Sequence, residues 1–246
     1  PSSLATRHSP LATLLAVLFA MMFPTLAAWS YFLALVEQGD KPNFWQQAAY
    51  VAGKIVQFGF PLVFLGMVER RLPRLTQPRF AGLALGLGFG LIVVALMLGI
   101  YFGALRGTEM LQQTPARLQQ KLHEFNMDTP ARYAVLTGFI VAAHSLLEEY
   151  YWRWFVFGQL RRLTTRTPAI ALSSLAFMAH HVVVLYVYLP GQFWMAVMPF
   201  SLAIAIGGAV WAWLYERSNS IWSPWLSHLL IDGGIFVIGW DLLWPI

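Results

Sequence analysis

The sequence predicts an all-α, polytopic transmembrane helical bundle of about seven spans, with room for six to eight at about 20 residues per span. Three observations lead there. First, of 246 residues 58% are hydrophobic and 11% are charged, against about 45–50% and about 25% in an ordinary soluble domain. Mean hydropathy is accordingly high, at +0.59. Second, the apolar residues come in long runs separated by short polar or basic segments. Third, the few ionisable residues inside those runs are clustered, not scattered. This composition leaves too little polar surface to cover a soluble core. It excludes a disordered chain and a collagen-like fibre.

The elements follow in order. Leu11 to Leu35 is apolar behind Arg7. A signal peptide with a small-residue site near Ala27 and Ala28 competes with a span, but the run continues past that site. A second span covers residues 44–68 and is interrupted by Lys54 and Gln57. A basic loop, 69–79, leads to a Gly-rich third span, 80–105, whose small residues suit close helix packing in lipid. Residues 106–132 are the longest polar stretch, and 116–125 reads as a short amphipathic helix at the interface. The fourth span, 133–157, carries Glu148, Glu149 and Arg153. The fifth, 169–189, carries His180 and His181. The sixth, 192–215, contains Gly207 and Gly208, read as packing residues. The seventh begins near Ile221 and carries His228 and Asp232. No internal repeat or second domain is visible, so 1–246 reads as a single membrane domain.

Charge orients the chain. With the N-terminus inside, the inner segments hold Arg7, Arg70, Arg71, Arg74, Arg79, Arg161, Arg162, Arg166 and Arg217. The outer ones hold Lys41, Arg106, Arg117, Lys121 and Arg132, nearly balanced by acids. The net charge of +5 is therefore explained by loops on one side of a bilayer, with no nucleic-acid partner implied. The bias of Arg over Lys fits a GC-rich bacterial genome, hence a bacterial inner membrane. Cysteine is absent, which removes disulfides and thiolate chemistry.

Ionisable groups at mid-span are costly, about 2.5–3.5 kcal/mol each for Arg, Lys or Asp on the lenient insertion scale. One Glu–Arg pair could serve as helix glue. Two histidines and two further carboxylates on three helices exceed that need, and mark a site. At about 1.5 Å rise per residue, Glu148, His181 and Asp232 reach similar depths from the inner edge, with His228 one to two turns shallower. They are expected to converge on a water-filled cavity open to the inside face. Glu149 and Arg153, four apart, share a face and can pair. Glu148 sits about 100° around from Glu149. Phe177 lies one turn before His181 and can pack against it. His228 and Asp232 share a face, where an acid can hold an imidazole tautomer. His180 points about 100° away from His181 and reads as a helix contact or as a residue supporting the site from behind, not as its main imidazole. His144, one turn before Glu148, is an extra polar group and not a favoured relay. Lys54 reads as snorkelling or ion-paired, and the eleven Trp mostly as interfacial anchors.

These residues resemble a family. EEYYWR (Glu148–Arg153), FMAHH (Phe177–His181) and HLLID (His228–Asp232) are similar to the EExxxR, FxxxH and HxxxN/D motifs, in that order, of the CPBP intramembrane proteases. That family is also called the Abi or CAAX-protease family and includes the type II CAAX prenyl endopeptidases. The likeness covers residues 133–238, a catalytic core. Residues 1–132 carry no such signature. The resemblance implies that Glu148 and His181 activate a water. It implies that His228 and residue 232 stabilise the oxyanion, and that Glu149 and Arg153 position the motif helix or the substrate.

Where the family's other form has Asn, this chain has Asp232. An ionised Asp repels an oxyanion, so Asp232 must be protonated, orient His228, or ligate a metal. No cofactor is favoured. Zinc on Glu148, His181 and His228 with an open fourth position is the alternative, although HExxH is absent. The expected partners are the lipid bilayer and a membrane-embedded or lipidated peptide substrate, with bacteriocin maturation, anchor-signal cleavage or C-terminal sorting as bacterial settings. Two other functions compete: a non-catalytic immunity or scaffold protein of the same fold, and a proton-coupled transporter. Buried Glu, His and Asp also build proton relays. Against a transporter, neither repeated halves nor paired broken helices are seen.

Overall fold

The computed structural model describes residues 9–35, 44–70, 76–78 and 80–245. Arg7, Lys41, Arg71, Arg74 and Arg79 of the loop-charge argument lie outside the described residues. Among the described residues the secondary structure is helical throughout, and seven helices are long and apolar enough to cross a membrane. They are α1 (Pro10–Ala34), α2 (Phe44–Glu69), α3 (Phe80–Leu105), α5 (Pro130–Leu163), α6 (Arg166–Tyr188), α7 (Phe193–Ser218) and α8 (Trp222–Leu243). Between α3 and α5 lies α4 (Thr114–Glu124), close to the amphipathic helix expected there. The protein is an integral, multi-pass membrane protein. Its outward residues agree: Leu91, Ile92 and Leu96 on α3 are each more than half exposed.

The largest departure from the expected boundaries is α5, which extends well past Phe157. The basic segment GQLRRL, expected as loop, continues the helix because its polar groups find partners. The buried Gln159 amide donates to Glu69 Oε1 at the end of α2 (3.0 Å), and Arg162 pairs with the same carboxylate. Arg161 and Arg166, on either side of the turn into α6, both reach Glu216 on α7 (2.8 and 2.7 Å). The short turn is thus pinned by charge to two other helices.

A proline sets the packing of α1 on α5. Pro24 lies inside α1 and has no N–H for the carbonyl four residues earlier. That carbonyl, on Ala20, instead accepts the hydroxyl of the fully buried Tyr151 (2.8 Å). Around this bond sits the aromatic core of Tyr151, Trp152, Phe155, Phe157 and Phe177, each at most 1% exposed.

Glycine sets the packing of α3 on α8. Gly82, Gly86 and Gly90 repeat every four residues and present one face. A methyl group added at Gly86 would lie 2.1 Å from the Ser223 carbonyl oxygen, and one at Gly90 would lie 3.1 Å from Ser227 Cα. Only a hydrogen at these positions permits the contact. Ser223 Oγ returns a bond to the Gly82 carbonyl (2.6 Å). At the far end, Asp241 of α8 accepts from Tyr101 (2.8 Å) and pairs with Arg106 (2.7 Å). The sixth-span glycines behave differently from each other. Gly208 faces Arg153 and Phe177, where a methyl would meet both at 3.4 Å, but Gly207 faces open space and is no packing residue.

Candidate active site

The centre of α5 is not a uniform α-helix. Wide, π-type turns over Phe139–His144 and Tyr150–Phe157 flank one α-helical turn, Ser145–Glu149. Such turns re-aim side chains and recur at functional sites. Here they bring Glu148, Glu149 and Arg153 inward together, at 5%, 0% and 2% exposure.

Glu149 is the hub. Its Oε1 lies 3.1 Å from Arg153 Nη1, the expected pair, and accepts from His228 Nδ1 at 2.8 Å. The second bond was not expected. A carboxylate can only accept, so Nδ1 carries the proton, and His228 Nε2 turns toward Glu148 (3.7 Å) and Asp232 (3.5 Å). Glu149, not Asp232, therefore fixes the His228 tautomer. The His228 ring stacks on Trp211 at 4.1 Å, and the Trp211 indole is itself held by Ser227 (3.0 Å). Arg153 lies over the rings of Phe177 and Trp211 at 4.5 and 4.8 Å, a cation–π arrangement for which Gly208 leaves room.

On α6, His181 Nδ1 donates to the Phe177 carbonyl (2.9 Å), which leaves Nε2 as the acceptor nitrogen. Phe177 packs against its ring at 4.6 Å, as the spacing predicts. Glu148 stands more than 4.0 Å from His181. It approaches His180 instead, at 3.7 Å. Of the two readings of His180, the supporting one fits better than the helix contact: its ring lies parallel to Trp152 and only 4.0 Å from the His181 ring, so both imidazoles border the same space. Trp152 and Trp211 are 1% and 5% exposed. They are walls of the site, not interfacial anchors. Their burial had no signal in the sequence beyond proximity to the motifs.

Under the same loop-charge orientation, the cavity beside the cluster lies toward the outer face, not at the inside face expected. A cavity of about 80 Å³ borders the cluster through His180, but its other walls are Pro24, Ala27, Ala28 and Tyr31 of α1 and Tyr50, Lys54 and Gln57 of α2. These belong to the half of the bundle that holds Ala34, Phe44 and Tyr188, the outer half under the loop-charge rule. Depth alone could not reveal this, because a mid-span residue is nearly equidistant from both faces. Among the described residues Lys54 has no ion-pair partner within 4.0 Å. Its Nζ lies 3.3 Å from His144 Nε2.

Zinc requires donors that converge. Among the described residues no group of three or more His, Asp or Glu side chains is spaced to hold a metal ion. The trio Glu148, His181 and His228 does not fit zinc as it stands.

A lipid-facing helical bundle with buried carboxylates and imidazoles at its centre defines a membrane-embedded acid–base site. Residues 130–234, less than half of the chain, match the family model described as type II CAAX prenyl endopeptidase Rce1-like, and this segment is similar to the CAAX-protease family that the motifs resemble. That family's kind of function is intramembrane proteolysis. No curated protein and no solved structure matches the chain significantly.

Proposed function

We propose that the protein is an intramembrane endopeptidase that hydrolyses a peptide bond of a membrane-anchored or lipidated substrate, with Glu148 as general base. One observation carries the reading: Glu148 is an almost fully buried carboxylate with imidazoles on both sides and, among the described residues, no Arg or Lys within 4.0 Å. Glu149 has Arg153, as a structural acid should. Glu148 does not.

The chemistry follows from positions. Glu148 takes a proton from a water held between it and the His180–His181 pair, and the hydroxide attacks the scissile carbonyl. His181 Nε2 is the acceptor that orients this water. The oxygen of the tetrahedral intermediate forms beside Nε2 of a doubly protonated His228, whose Nδ1–H is held by Glu149 and whose Nε2–H is favoured by the facing carboxylates of Glu148 and Asp232. Protonated Glu148 then returns its proton to the leaving amine. Stabilisation of developing charge by groups already in place is strong in a water-poor site. The donor arrangement favours this metal-free route. The bias of Arg over Lys in the sequence supports a bacterial plasma membrane as the enzyme's setting.

The test is cleavage of lipidated and transmembrane peptides by the purified protein in nanodiscs. Glu148→Gln keeps shape and removes the base, and is expected to lower turnover by about 10²–10⁴-fold while leaving the melting transition in place. Wild-type turnover by this variant removes Glu148 from the mechanism. Unchanged turnover after chelation, with no bound metal by elemental analysis, separates this route from a zinc enzyme.

A further inference from the structure

The geometry points to a carboxylate-binding subsite at Lys54, in the cavity between α1, α2 and α6; it rests on the protease reading above. Lys54 lies outside the family-matched segment, and nothing in the three motifs involves it. Its neighbours are neutral or aromatic. Nζ is 3.3 Å from His144 Nε2 and 3.5 Å from Gln57 Oε1, and it lies 5.5 and 5.9 Å from the ring centres of Phe58 and Tyr50. Among the described residues no carboxylate oxygen comes within 4.0 Å of it. Glu148 acts on it only from farther away and is already flanked by His180 and His228. An ammonium held at mid-membrane without a counter-ion is expensive, and such residues mark ligand pathways.

The cavity supplies the space. At about 80 Å³ it takes a group of the size of two or three waters, which fits the carboxylate of a peptide. Gln57, 3% exposed, has an amide N–H to offer the same ligand. Tyr31 and Tyr50, whose rings are 4.9 Å apart, give it an apolar wall. At that end Lys121 of α4 is already paired with Glu124, which leaves Lys54 as the cation facing the cavity among the described residues. His180 joins the two compartments, lining the cavity and standing 3.7 Å from Glu148. A carboxylate on Lys54 would thus lie one imidazole away from the base, so the subsite selects peptides whose negative charge is close to the scissile bond. The charge comes from a chain terminus or from an Asp or Glu side chain.

The experiment measures binding separately from cleavage. The full-length Glu148→Gln protein in phosphatidylcholine nanodiscs is titrated with three fluorescent peptides. Each has an S-farnesylcysteine followed by three residues: an apolar peptide ending in a free carboxylate, its C-terminal amide, and the amide with one internal Asp. The free acid should bind about 10-fold more tightly than the plain amide. Adding Lys54→Gln should erase that ratio and leave amide affinity unchanged, which a purely structural role through His144 would not do. Lys54→Arg should retain a preference. Tight binding of the Asp-amide assigns the subsite to a side-chain carboxylate, and tight binding of the free acid alone assigns it to the terminus. Equal affinities for all three peptides, no binding of any, or a preference that survives Lys54→Gln overturns the proposal. If Lys54→Gln fails to assemble, the acid-to-amide ratio in the Lys54 protein decides alone. Failure of the wild type to cut any of these peptides counts against the protease reading and leaves the binding ratio standing.

Discussion

At Asp232 the chain departs from the Asn form of its motif, and the structure changes what that departure costs. If Asp232 were the acid that holds His228, replacing it would release the ring. Glu149 already holds Nδ1 at 2.8 Å, and Asp232 only faces Nε2 at 3.5 Å. Asp232→Asn is therefore expected to keep turnover within about 10-fold, since it supplies an amide donor beside the oxyanion and removes at most one ion-pair partner. Glu149→Gln strikes both Arg153 and His228. Breaking a buried pair leaves an uncompensated charge, at a cost of about 3–5 kcal/mol, so this variant should lose stability and activity together. Melting temperature and cleavage rate on both variants decide. A dead Asp232→Asn with a normal melting curve would return the orienting role to Asp232. The sequence showed that Glu149 and Arg153 pair, because four-residue spacing on a helix is local information. It did not show that Glu149 reaches His228, because that contact joins helices 79 positions apart through turns that are not regular α-helix.

Element by element, α3 shows how a helix with no catalytic residue controls the site. Its Gly-rich face is the bed of α8, and α8 carries His228 and Asp232. Gly86→Ala puts a methyl group where the Ser223 carbonyl oxygen stands. The helices must separate, and overpacking of this kind costs about 1–3 kcal/mol. Thermal melting in detergent should fall accordingly, with turnover reduced as His228 shifts. Gly88→Ala points into open space and should change neither. Equal behaviour of the two variants would remove the glycine face from the account. The span of α3 and its packing role were legible from its glycines and its unbroken apolar run. The length of α5 was not. GQLRRL has the composition of a loop, and only partners on other helices, such as Glu69, make it helical.

In the whole molecule, the family-matched segment is not self-sufficient. Tyr151, at the core of α5, bonds to a carbonyl of α1, and the cavity beside Glu148 is walled by α1 and α2. A fragment of residues 130–246 inserted in nanodiscs is expected to lack a cooperative melting transition and to cut nothing, and co-expression with residues 1–129 should restore both. An active, cooperatively melting fragment would show that the first three spans are dispensable. The glycine contact between α3 and α8 has a consequence in time. Gly86 and Ser223 are 137 positions apart. At about 5–20 residues per second of synthesis, α3 waits roughly 7–27 s for its partner. Glu148 and His181 are made within that interval, but His228 comes only after it. On the proposed mechanism, a product stalled or shortened before α8 lacks His228, and hydrolytic competence is expected only once α8 has been made.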